Sequence, residues 1–553
     1  VRKKNHGKHA VAMLYTALTL LATLVTVQGT DHGVQRLYLD QGDAIERLIR
    51  EDVGLEGTKE EQQQAEEDMQ HERLAEEKRE SLDHQEGPEE EEELEEFTDV
   101  DFAESLMLLG GVAFVMTLFY LVNAEDPDMR FYSWRVISAT LSIFSAVLIF
   151  SGINKLIHAY LLPHGNSPFF KFLWSFVAML TYFLFLQLGT AYESGAFNSA
   201  PSPRLGERKL EALWVKMERH TRSLATILAH MTGFASMHCG TVLQHLPELQ
   251  SPAASFIAAP VMFLLSAGLN WLARRVRETV TQEKPKYQPL PVSEEIDLSE
   301  WSQWTYDLWT ENVIEAEHDA AALSVSFLVV QSCCFAFSGE LADELSPGHE
   351  HKQQVIEEFA SFSLVFALLT VVLVVLGRRI FKGTPSPGTL KSFLRRCWIL
   401  LQLSSAMAFA WTLLFSSRWE IGRFSNFVGP PASLSSRISL ALGISFFAAL
   451  VIRMLDFIVD MDATEEAADE ALGHIISSLG ILVGFSWEQS FDGGVEVVAL
   501  RTYRPLLTQL ALACCVVALI LPAWRRHILE KVLSEEKKRA TKAEPGGSRS
   551  CIK

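Results

Sequence analysis

The sequence predicts an all-α, polytopic transmembrane helix bundle of about eleven spans, with a disordered acidic N-terminal arm. Three observations predict it. Apolar residues arrive in blocks of about 20 or more, the length that crosses a bilayer core at about 1.5 Å rise per residue. Acidity is confined to one segment: residues 31–104 hold 28 Asp+Glu and 7 Lys+Arg, which leaves 40 acids and 41 bases for the rest of the 553-residue chain. Strongly basic loops alternate with loops that hold almost no base, the charge asymmetry that orients membrane helices.

Residues 1–30 open with Arg2, Lys3, Lys4 and Lys8 and continue into an apolar run to about Val27, the layout of a secretory signal peptide. An uncleaved signal anchor is the rival reading. Residues 31–101 are rich in Glu and Gln, poor in aromatics, and include the run Glu89–Glu93. Such a segment buries too little apolar surface to order itself. Its charge repels nucleic acid and anionic lipid, so no nucleic-acid partner is expected.

The bundle occupies 102–527, with spans at 102–124, 134–158, 169–192, 222–246, 252–273, 319–342, 356–377, 394–415, 438–460, 470–491 and 505–527. Backbone groups in lipid must be satisfied within each segment, so these blocks are helices. Cytoplasmic loops are expected at 193–221, 274–318 and 378–393, each with several bases, followed by a basic cytoplasmic tail at 528–553. A signal-bearing N-terminus then puts the acidic arm on the opposite side. Two loops dissent: the one after span eight carries Arg418, Arg423 and Arg437, and the one after span nine is acidic. The compartment is an integral membrane of the secretory pathway, plasma membrane or endomembrane. The stretch Glu300–Glu315, with Trp301, Trp304, Leu308 and Trp309 on one side, reads as a separate amphipathic helix at the interface or packed on the bundle. A weak echo at an offset of 150 residues relates Asp319, Ala321 and Phe335 to Asp469, Ala471 and Phe485.

No nucleotide loop, zinc helix or nucleophile elbow is present, so no enzymatic class is indicated and no cofactor is implied. The seven cysteines imply no disulfide framework. Polar residues inside lipid are costly and are therefore the functional candidates. His230 and His238 of span four lie about 80° apart on a helical wheel, with His245 about 20° further back. They read either as a proton relay or transition-metal site, or as interhelical hydrogen-bonding groups. Glu488 of span ten, with Glu340 and Asp343 at the outer end of span six, would enrich cations at an outer mouth. Arg453 and Asp456 are spaced as an intramembrane ion pair. Gly473, Gly480 and Gly484 form a small-residue stripe for close helix packing, expected to admit span four. These residues point to a transporter or channel whose partner, beyond the lipid bilayer, is a cation or small solute. The alternative is a non-transporting scaffold or receptor that presents the acidic arm.

Tyr132–Phe150 (YSWRVISATLSIFSAVLIF) and Gly484–Asp492 (GFSWEQSFD) resemble stretches of multi-pass membrane proteins of dinoflagellate algae. The resemblance covers the membrane body rather than the acidic arm, and it implies no activity, cofactor or site.

Overall fold

The computed structural model describes residues 99–161, 167–198, 207–281, 301–339, 341, 352–381, 390–424, 430, 433–459 and 466–543. The signal segment 1–30 and almost all of the acidic arm lie outside the described residues. Eleven long helices follow in order: α1 (Asp99–Val122), α2 (Pro127–Leu161), α3 (Pro168–Glu193), α4 (Glu207–Gln244), α5 (Ala258–Thr281), α6 (Trp301–Ser338), α7 (Gln353–Ile380), α8 (Leu390–Arg423), α9 (Leu434–Val459), α10 (Glu466–Leu500) and α11 (Pro505–Ala523). A π-helical turn, Trp524–Ile528, leads into α12 (Leu529–Ala543). Among the described residues there is no strand. The chain is an all-α, multi-pass membrane protein.

Local chemistry fixes several helix ends. Ser167 accepts a hydrogen bond from the Phe170 backbone N–H, and Pro168 takes the first helical position of α3, where its missing N–H costs nothing. Pro505 does the same for α11. Pro522, inside α11, cannot donate to the preceding turn, and the π-helical turn follows directly. That turn seats the Trp524 ring in the bundle, where its indole N–H donates to Ser138 Oγ at 2.9 Å.

Ten helices among the described residues are long and apolar enough to cross a membrane. α4 is not one of them, so the structure supports ten of the eleven expected spans. The reason is visible in its neighbours. α4 runs beside α6, and polar groups face each other across the contact: Ser236 with Ser324 at 3.0 Å, Thr241 with Gln331 at 3.3 Å, and Gln244 with Ser332 at 2.9 Å. Groups that satisfy one another between helices need not be apolar. α6, α8 and α10 form the buried centre, whereas α1, α3 and α7 turn Leu109, Phe119, Leu188 and Leu364 outward, the side chains that lipid solvates.

Three expectations need correction. Of the stretches 193–221 and 274–318, the residues 207–221, 274–281 and 301–318 are helical rather than loop; half of 378–393 lies outside the described residues. α4 begins at Glu207, α5 continues to Thr281 and α6 begins at Trp301. Of the two readings of Glu300–Glu315, the interfacial helix is corrected and packing on the bundle stands: from Trp301 on, the stretch is the first half of α6. Trp301 and Trp304 meet Trp214 of α4 edge-on, with ring centroids 6.0 and 6.1 Å apart. That shared aromatic contact lets two charged, low-hydropathy segments remain helical. Within the basic tail, α12 docks on the bundle.

The small-residue stripe packs on α2, not on the fourth span. A Cβ at Gly484 would sit 2.9 Å from the Thr140 backbone, and one at Gly480 would sit 3.2 Å from Val136 Cα. Thr140 Oγ1 donates to the Gly480 carbonyl at 3.2 Å. At Gly473 an added Cβ would meet nothing within 4 Å. Gly484→Leu is therefore expected to destabilise the bundle by about 1–3 kcal/mol through overpacking. Gly473→Ala should be neutral or stabilising by up to about 1 kcal/mol from helix propensity. Thermal unfolding of the two variants in detergent checks the contrast, and equal melting temperatures would refute it.

Candidate functional site

Four helices present polar residues at helical spacing to one cavity of about 160 Å³. α2 contributes Arg135, Ser138 and Ser142. α4 contributes Arg222, Thr226 and His230. α6 contributes Asn312, Glu315 and Asp319, and α10 contributes His474, Ser477 and Ser478. Each set repeats at three or four residues, so each lies on one helix face. Leu403 and Met407 of α8 supply an apolar wall.

The cavity opens toward the ends of the helices that border the basic stretches, called here the basic side. There it is covered by Trp524 and by Leu529, Val532 and Glu536 of α12. α12 is amphipathic, and its Leu529 and Val532 are buried. Its charged face pairs with the bundle: Glu530 with Arg219 at 2.7 Å, Lys537 with Glu218 at 2.7 Å, and Arg539 with Asp128. The Arg539 guanidinium also lies 4.0 Å from the Phe131 ring centroid. Half-exposed pairs of this kind contribute little each, so the buried apolar residues hold α12 in place.

Inside the cavity the charges are unevenly matched. Arg222 pairs with Glu315 at 2.9 Å and lies 4.0 Å from Glu536. Asp319 makes no hydrogen bond or ion pair among the described residues; Arg135 and Arg222 are the cations whose fields reach it. Two arginines face three carboxylates, Glu315, Asp319 and Glu536, so the wall carries one net negative charge. His230 is 5% exposed, and its Nδ1 has no hydrogen-bond partner among the described residues. Asn312 donates to the Leu308 carbonyl at 2.7 Å, but its Oδ1 is likewise unpartnered. A buried polar atom without a protein partner is satisfied by water or by a ligand.

The other sequence candidates lie elsewhere. His238 is eight residues beyond His230, about 12 Å along the helix axis. It meets His158 of α2, with Nε2 atoms 3.4 Å apart and rings edge-on. His245 Nδ1 lies 2.8 Å from the Thr241 carbonyl of its own helix. Glu488 is buried on α10, about 21 Å along the axis from His474, close to the Lys155–Asp492 ion pair at 3.0 Å. Thus His230 is brought together with His474 and Asp319, and not with His238 or Glu488. Glu340 and Asp343 lie outside the described residues. Arg453 is exposed, and the Asp456 side chain lies outside the described residues. Among the described residues no group of three or more His, Cys, Asp or Glu is arranged to hold a metal ion.

A second buried polar centre was not anticipated. Arg277 of α5 and Glu317 of α6 are 3% and 2% exposed, with Nη1 and Oε1 2.6 Å apart. Gln187 of α3 bridges them, accepting from Arg277 at 2.5 Å and donating to Glu317 at 2.9 Å. The three side chains tie three helices together.

No family model, curated protein or solved structure matches this chain. Its function is read from the site alone.

Proposed function

We propose that this chain is a multi-pass membrane transporter or channel, and that its solute passes through the polar cavity bounded by α2, α4, α6 and α10. One observation carries the reading. Polar side chains from four helices, distant in sequence, converge on one space within the bundle and leave His230 Nδ1 without a hydrogen-bond partner among the described residues, beside the carboxylate of Asp319. A protein that only displayed an extramembrane arm would have no need to hold such groups together at the cost of burying them. The net negative wall, with arginines beside carboxylates, suits a small cation, a proton or a zwitterion. His230 and Asp319 are the groups that would bind it.

A flux screen in proteoliposomes across cations, protons and small zwitterions tests the proposal. Wild type is expected to pass at least one species, and Asp319→Asn and His230→Gln should each reduce that flux about tenfold, as expected for loss of a charge-assisted hydrogen bond. His238→Gln, outside the cavity, should leave it unchanged. Absence of flux for every species, or flux in both cavity variants equal to that of wild type, would overturn the proposal.

A further inference from the structure

A larger groove lies between α5 and α8. Its volume is about 390 Å³, far above the roughly 30 Å³ that one water occupies. It has room for a molecule, not merely an ion. α5 presents Gly268, Trp271, Arg274 and Arg275 to it, and α8 presents Phe393, Arg396, Cys397 and Leu400. The spacing on both helices is that of a single face. The groove is graded along the membrane normal. Its deeper part is mainly apolar, from Ala267, Gly268, Trp271 and Leu400, with Asn270 and His318 of α6 as polar members, and its arginines lie nearer the basic side. Trp271 is half exposed, and a Cβ added at Gly268 would meet nothing within 4 Å, so the deep part is open space.

The charges around Arg396 do not cancel. The charged groups whose fields reach it are Arg274, Arg277, Glu278 and Glu317. Glu317 is engaged by Arg277 at 2.6 Å, and Glu278 by Arg274 at 2.7 Å. Arg396 therefore has no carboxylate of its own among the described residues. Arg275 lies 3.9 Å from the same Glu278 and stacks on Trp271 at 5.5 Å. Among the described residues, four arginines against two glutamates leave an excess of two positive charges around the groove. An arginine near hydrocarbon without a counter-ion is costly unless an anion joins it.

We propose that this groove binds an acidic phospholipid of the leaflet on the basic side. The phosphate lies between Arg274, Arg275 and Arg396, and an acyl chain lies against Trp271 and Leu400. Two features select a lipid over a soluble anion. The apolar part of the groove continues from the arginines into the span, as the acyl chain continues from its headgroup. The arginines also lie toward the basic ends of α5 and α8, where a basic pocket between helices would meet anionic lipid. The site is distinct from the polar cavity, and it stands or falls independently of any transport.

The test uses the full chain reconstituted in vesicles of equal parts phosphatidylcholine and phosphatidylglycerol, then extracted in mild detergent. Copurifying lipid is quantified by mass spectrometry. Wild type is expected to retain phosphatidylglycerol in preference to phosphatidylcholine. Arg396→Gln should reduce retained phosphatidylglycerol about fivefold, the effect of one arginine at a lipid surface. Arg396→Lys should largely preserve it, because a point charge still binds phosphate. Gly268→Phe fills the apolar part without touching a charge and should reduce retention of the lipid as well. Circular dichroism and thermal unfolding confirm that each variant is folded, and Gly268→Phe carries the test if Arg396→Gln is not. Retention in the bulk lipid ratio, or retention by folded Arg396→Gln and Gly268→Phe equal to wild type, would overturn the proposal. Displacement by soluble glycerophosphoglycerol as effective as by the lipid would show that the acyl chain contributes nothing, and would assign the groove to a soluble phosphate instead.

Discussion

Replacing Arg277 by Met is expected to destabilise the bundle by about 3–5 kcal/mol, because it leaves the Glu317 carboxylate buried without its cation. Glu317→Leu should cost a similar amount by stranding the guanidinium. The double variant R277M/E317L should recover most of the loss, since two apolar side chains of similar size replace a buried pair at little net cost. The Gln187 amide bonds both partners and keeps one polar contact in either case; Gln187→Leu, which leaves the Arg277–Glu317 pair intact, should cost less, about 1–3 kcal/mol for buried groups left unsatisfied. Equilibrium unfolding in mixed micelles measures all four variants. Additive losses in the double variant would show that the two side chains do not act as a pair.

Deleting α12 is expected to expose the polar cavity from the basic side. The buried apolar contacts of Leu529 and Val532 contribute about 1.5–3 kcal/mol each. If both must release for the cover to open, cavity residues are protected by on the order of a hundredfold or more. A cysteine placed at Ser142, in a background without the native cysteines, should react with a water-soluble thiol reagent at least that much faster once residues 529–543 are removed. The pair L529A/V532A should show a smaller increase in the same direction. Equal labelling rates in the full-length and shortened chains would show that α12 does not cover the cavity.

The helical spans were legible because lipid imposes a single requirement, about 20 apolar residues per crossing, that any window of sequence can test. Polar assembly within the bundle was not. Arg277 follows Arg274 and Arg275 at the end of an apolar block, and so looks like one more base of a cytoplasmic loop. What buries it is Glu317, 40 residues later on another helix. The first half of α6 carries Glu311, Glu315, Glu317 and Asp319, a composition that mimics a solvated segment; its partner surface on α4 is equally polar and cannot be recognised without the pairing. The histidines illustrate the same limit. A helical wheel places His230 and His238 on one broad face, but eight residues separate them in depth, and each meets what its own level offers: the cavity for His230, His158 for His238. Of the cavity's members, His230 stood out in the sequence, and Asp319 only through its echo with Asp469. The available signal was the repeated three- and four-residue spacing of polar groups at the basic ends of α2, α4, α6 and α10.

The polarity of α4 bears on how the protein is made. A nascent segment leaves the insertion machinery for lipid when its own hydropathy favours the move, and α4 falls short of the composition that marks the other ten helices. Its seryl, threonyl and glutamine groups find their partners on α6, which is synthesised later. α4 is therefore expected to complete its polar packing only once α6 has emerged. Biogenesis of this chain is in that sense not a series of independent crossings. A ribosome stalled before Ser338 would leave a helix with its polar face unmatched, the kind of intermediate that membrane quality control recognises and removes.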